Sequence, residues 1–157
     1  MIIYLDTNVY FRPFNDQTQT RIRQEAEAFV KILDQVEEGE IELLKSEILE
    51  FEIEQVSDAE LKNKVETYLK LCAHSLRADE RQLKLAQQLE HDCGFKGRDA
   101  LHVAAACFGE AVFCVTCDDR MIRHADCCER ITSEHGFRVR IVRPEEFVAQ
   151  AKNQEQN

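Results

Sequence analysis

The chain has 157 residues, 44% hydrophobic and 32% charged, which fits one globular domain long enough to bury a real core and excludes a disordered or fibrous chain. Thirty acidic residues against 20 basic ones leave a net charge of −10, which argues against a protein that coats nucleic acid through Lys and Arg. It leaves room for an enzyme that holds nucleic acid at one site through a bound cation, or for a basic partner, and no apolar run approaches the roughly 18–20 residues of a membrane span.

The chain starts on MIIYLD, a short run with few polar positions, the pattern of a parallel strand covered on both faces. No basic segment or small-residue cleavage site precedes it, so the expectation is a cytoplasmic protein without a signal peptide. Pro13 and NDQTQT then read as a loop. From about Arg21, Ile22, Ala26, Phe29, Val30 and Leu33 recur at three- and four-residue steps, predicting an amphipathic helix that Gly39 ends. IELLK predicts a second strand, and Ser46 an N-cap for the helix EILEFEIEQV.

Two polar-faced helices are expected next, from Asp58 to Ala73 and from Asp79 to Asp92, the second closed by Gly94. They make an excursion above the sheet edge. Gly97 leads into RDALHVAAACF, a buried helix rich in small apolar residues. VFCVT is the third strand, with a short helical stretch from Asp118; FRVRIV is the fourth, and Pro144 starts a last helix at its favoured first position. Strands alternating with helices predict an α/β fold with a mainly parallel central sheet of four to five strands flanked by helices. One domain is expected over residues 1–150, with a frayed, disordered tail over 151–157.

Seven cysteines, an odd number in a chain that is neither short nor exported, do not read as a disulfide framework. Cys114 and Cys117 with His124, Cys127 and Cys128 prompt a zinc reading. Positions three apart on a strand point to opposite faces, however, so reduced, packed thiols are the expectation.

The acids fall in a pattern. Asp6 ends the first strand, Glu47, Glu50, Glu52 and Glu54 follow Ser46, Asp99 begins the buried helix, and Asp118 and Asp119 follow the third strand behind Thr116. Singly, Asp6, Asp99 and Asp118 read more readily as caps than as ligands. In a parallel sheet the strand ends share one rim, where α/β folds place their ligands. Carboxylates crowded there repel one another unless a cation sits among them. Oxygen donors without Cys or His select Mg2+ or Mn2+, and two such ions activate water and stabilise the leaving oxygen of a phosphodiester.

IYLDTNVY, SEILEFEI, GRDALHVAAA and VTCDDRMI, in that order, resemble the four signature segments of the PIN domain, a metal-dependent nuclease fold. They span Ile3 to Ile122, and the small single-domain proteins of the VapC toxin type are the subgroup most resembled. The resemblance implies a single PIN-like domain in which Asp6, Glu52, Asp99 and Asp118 are catalytic and hold Mg2+ or Mn2+. Glu50 is the alternate for Glu52, and Asp119 for Asp118. Asn8, Thr116, Thr7 and Ser46 would support these ligands through hydrogen bonds. Arg98 and Arg120, with Arg123, read either as phosphate contacts or as surface arginines paired with nearby acids. His102, three residues after Asp99, reads as a packed or hydrogen-bonded histidine rather than a general base.

The implied function is a Mg2+/Mn2+-dependent endoribonuclease with an RNA substrate, the toxin of a type II toxin–antitoxin pair, with an antitoxin protein partner and a homodimeric state. The alternative is a catalytically inactive PIN-fold module that binds RNA or protein. A phosphotransfer enzyme that uses an aspartate nucleophile needs a second acid two residues on, where this chain has Asn8.

Overall fold

In a computed structural model of the chain, which describes residues 1–155, the first apolar run is strand β1 (Ile2–Leu5), with Ile3, Tyr4 and Leu5 fully buried. It is the middle of a five-stranded, all-parallel sheet. Strand β2 (Glu42–Ser46) flanks it on one side and β4 (Phe113–Val115) on the other. Outside them lie β3 (His74–Leu76) and β5 (Arg140–Val142), in the order β3-β2-β1-β4-β5. A strand covered on both faces has no solvent side, hence the unbroken apolar run. The strand order reverses between β1 and β4, and the crevice beyond strand ends at such a reversal is where α/β folds bind ligands.

Ser46 caps α3 (Glu47–Glu54) by accepting a hydrogen bond from the Leu49 amide at 3.2 Å, as its position predicts. The small-residue segment forms α6 (Gly97–Phe108), where Ala100, Val103, Ala104, Ala105 and Ala106 are buried. Their short side chains let the helix lie close to the sheet. At its end, a Cβ on Gly109 would stand 2.1 Å from a Leu44 methyl on β2.

Several elements depart from the sequence reading. The segment after β1 is not plain loop: it forms α1 (Thr7–Phe11) and a 3-10 turn over Arg12–Phe14 before α2 (Thr20–Glu37). The two middle helices are not consecutive. Helix α4 (Ala59–Leu69) ends early, β3 pairs with the free edge of β2, and only then does α5 (Glu80–Cys93) begin. A three-residue edge strand with half-exposed side chains has no hydrophobic alternation to reveal it; its ladder bonds to β2 decide its conformation. After β4 come two helices rather than one, α7 (Asp119–Arg123) and α8 (Ala125–Glu134). Helix α9 (Pro144–Glu155) carries the expected tail in helical form through Glu155, while Gln156 and Asn157 lie outside the described residues.

Among the described residues no helix is long and apolar enough to cross a membrane. The cysteines depart from an all-thiol reading: Cys93 at the end of α5 and Cys127 in α8 form a disulfide, while Cys72, Cys107, Cys114, Cys117 and Cys128 are free. Pairing two helices through cysteines 34 residues apart is a tertiary event without a local signal.

Candidate active site

Asp6 lies just past β1, 4% exposed, and serves as the N-cap of α1 through a 2.8 Å bond from the Thr7 amide. The other carboxylate oxygen accepts hydrogen bonds from Thr116 Oγ1 at 2.8 Å and Asn8 Nδ2 at 3.1 Å. Asn8 Oδ1 in turn accepts from the Cys117 amide at 3.0 Å, and Thr116 Oγ1 from the Asp118 amide at 3.1 Å. These bonds lace the loop after β1 to the loop after β4, so Asp6 and Asp118 are held by one network. Asp118 itself caps α7, accepting from the Arg120 amide at 2.8 Å.

Asp99 stands in the first turn of α6, half-buried. Burial and the charges of Asp6 and Asp118 push its carboxyl up to about 6, against the weaker pull of His102 and Lys96. No hydrogen bond or ion pair from the described residues reaches this carboxylate. Acids from three segments thus act on one another, and the charges of His102 and Lys96 offset their repulsion only in part.

Glu52 reaches the same region from α3. It accepts a hydrogen bond from Thr7 Oγ1 at 3.2 Å and is bonded to Nε2 of His102, which also lies 3.5 Å from Asp6 Oδ1. Burial works against its ionisation, but the bonds from His102 and Thr7 and the charge of Arg98 keep its carboxyl below the usual glutamate value. His102 is 1% exposed; burial opposes its charge, yet Asp6, Glu52 and Asp99 together push its pKa up. Its Nδ1 is 2.5 Å from the Tyr4 hydroxyl, which is 2.7 Å from Ser46 Oγ. Ser46 therefore anchors both α3 and this chain of hydrogen bonds.

The alternates are engaged in ion pairs. Glu50 pairs with Lys45 at 3.0 Å; Glu54, further along α3, pairs with Lys62 at 2.8 Å. Asp119 is gripped by Arg21 at 2.8 Å and Arg143 at 2.6 Å, hydrogen bonds that hold its carboxyl far below the usual range. Arg98 lies over the Phe51 ring at 5.6 Å, and Arg120 donates to the Gly94 carbonyl at 3.2 Å. The sequence marks Tyr4 only as part of the first strand, because a tyrosine inside a buried strand carries no local signal of a hydrogen-bonding role.

The donor set suits a hard divalent cation: carboxylate oxygens only, with repulsion that such an ion would relieve. Among the described residues, no three His, Cys, Asp or Glu side chains are already drawn into a common coordination shell, whether for such a cation or for zinc on the cysteines.

A family model described as PIN domain matches residues 3–126. Among solved structures, FitAB bound to an IR36 DNA fragment matches with a TM-score of 0.56 at 22% identity, covering 92% of this chain and 95% of that one. VapBC2 from Rickettsia felis, bound to a DNA fragment from its promoter, matches with a TM-score of 0.53 at 15% identity, covering 90% and 98%. At these identities the likeness establishes the fold. No curated protein sequence matches the chain.

Proposed function

This chain belongs to the PIN domain family, and from that premise we propose that it is a Mg2+- or Mn2+-dependent endoribonuclease, the toxin of a type II toxin–antitoxin pair acting in the cytoplasm. PIN domains are nucleases as a class, and the observation that supports the reading here is the single hydrogen-bonded network that holds Asp6 and Asp118 at the strand reversal, with burial and the charges of those two acids pushing Asp99 up to about 6. Asp6, Glu52, Asp99 and Asp118 would hold the cation. When bound, such an ion supplies Lewis-acid polarisation of the phosphodiester and makes water a nucleophile near neutral pH.

The chain's own residues set up that chemistry. Thr116, Asn8 and the Thr7 amide fix both oxygens of Asp6, so its orientation costs nothing further on binding. His102 and Thr7 hold Glu52 toward Asp6. Asp99, free of hydrogen bonds, is left to turn to a ligand. RNA as substrate rests on the family resemblance. An antitoxin partner is supported by the two neighbours, FitAB and VapBC2. A basic side chain from such a partner would satisfy the crowded carboxylates. We assign the nuclease domain to residues 1–150 and a homodimer to contacts between helices.

The test is incubation of the protein with structured RNA in Mg2+ or Mn2+, beside Asp6→Asn and Asp99→Asn. Cleavage by wild type and its loss in both variants is the expected result; equal cleavage by the variants removes the site. The inactive binding module draws on one observation, the absence of a ready coordination shell among the described residues. Calorimetric titration with Mn2+ separates the two: the module binds none.

A further inference from the structure

Between the start of α2 and α7, a hollow of about 450 Å3 opens directly off the acidic rim, with Asp118 on its wall. The rest of that wall is unusually basic for a chain of net charge −10: Arg12, Arg21, Arg120 and Arg123 all face it. Its floor is built rather than accidental. Glu25, 1% exposed, accepts from Arg21 Nε at 3.1 Å, which fixes that guanidinium, and lies 3.6 Å from Arg12 Nε as an ion pair without a hydrogen bond. Arg21 is fixed again by a 2.7 Å bond to the Cys117 carbonyl. Arg120 and Arg123, also in the lining, have no carboxylate partner among the described residues; Arg120 donates to the Gly94 carbonyl at 3.2 Å.

Arg21 already shows what such a wall binds. With Arg143 it clamps the exposed Asp119 carboxylate, an oxyanion presented at the pocket's edge. A guanidinium fork matches phosphate oxygens as it matches a carboxylate, and pinned forks lose less entropy on binding. Four arginines line the pocket against Glu25, Asp118 and Asp119, so it is formally net positive, and more so once a cation engages Asp118.

We infer that this arginine pocket is a backbone-phosphate subsite, which seats a nucleotide of single-stranded RNA beside the position that is cut. It rests on the nuclease reading and names where the substrate is held. An acidic protein segment is the competing occupant, and RNA is favoured because the pocket shares Asp118 with the acids assigned to the chemistry.

The experiment measures fluorescence anisotropy of a labelled single-stranded RNA with the full chain, Ca2+ replacing Mg2+, over a series of KCl concentrations. It compares wild type, Arg120→Gln/Arg123→Gln, and a control with equal charge loss elsewhere, Arg77→Gln/Arg138→Gln. The pocket variant is expected to bind about tenfold more weakly, with a salt slope smaller by about 1.4, roughly 0.7 per lost contact to a single strand. The control is expected to match wild type. Wild-type affinity and slope in the pocket variant overturn the subsite, as does an equal loss in the control. If wild type still cuts RNA in Mg2+, that failure leaves the nuclease reading standing; wild type that neither binds nor cuts RNA ends both.

Discussion

Nε2 of His102 is hydrogen-bonded to the carboxylate of Glu52, fifty residues earlier in the chain. The imidazole thereby ties α6, which carries Asp99, to α3, and its other nitrogen leans on Tyr4 of β1. One buried ring holds three elements of the site in register. Both ring nitrogens are engaged, and the charges of Asp6, Glu52 and Asp99 push its pKa up against the opposing effect of burial.

This relationship separates Glu52 from Glu50. Glu52→Gln is expected to lower RNA cleavage by about 10- to 100-fold, on the scale of losing a metal-positioning group. Glu50→Gln, which loses only a surface pair with Lys45, retains near wild-type rates. The reverse outcome in a side-by-side cleavage assay would reassign the ligand.

Asp99 is a charge held against its preference, so Asp99→Asn is expected to abolish divalent-dependent cleavage while raising Tm by a few degrees in EDTA. The two readouts must move in opposite directions. A lower Tm for the variant would mean that Asp99 supports the fold.

The pH dependence follows with a definite sign. Folded Asp99 titrates at about 6, against about 3.9 for an unfolded aspartate. Below about pH 4 both states are protonated and nothing is lost. Between about 4 and 6 the unfolded chain releases this proton first, so the group costs stability as pH rises, and the cost levels off above 6. In EDTA, the Tm difference between Asp99→Asn and wild type should therefore grow through that window. A flat difference rejects the crowding of the three acids.

Cys93 and Cys127 close a loop of 34 residues that contains α6 and α7. Chain-entropy arguments assign such a crosslink roughly 3–4 kcal/mol. A dithiol reductant, or Cys127→Ser, should lower Tm by about 6–16 °C at ~2–4 °C per kcal/mol for a domain of this size. Mass spectrometry that finds both thiols free in the oxidised protein would refute the pairing.

Gly109 lets α6 end against β2. Its Cβ would meet a Leu44 methyl at 2.1 Å and the Ala105 carbonyl oxygen at 3.1 Å, and Leu44 is buried. Gly109→Ala is expected to cost about 1–3 kcal/mol through overpacking. A denaturant midpoint equal to wild type would show that Leu44 has room to move.

Local chemistry marks its elements in the sequence. The run before Asp6, the cap at Ser46, Gly94 at positive φ after α5, and Pro144 opening α9 each act within a few residues, so each can be read without the fold. Topology adds one step: parallel strands share a rim, and that alone brings Asp6 and Asp118 together. Strand β3 and the α7–α8 division escape because their short lengths give no full period.

What the sequence by itself determined, then, was the alternation of strands and helices and the set of acids delivered to one edge, because periodicity, caps and strand direction are properties of contiguous residues. Only the tertiary structure decided that Glu52 rather than Glu50 meets His102, that Asp119 belongs to Arg21 and Arg143, and that Cys93 pairs with Cys127. Each of those choices depends on which way a side chain turns from its helix and on what packs opposite it, and a neighbour some 30 to 100 residues away leaves no mark on the local pattern.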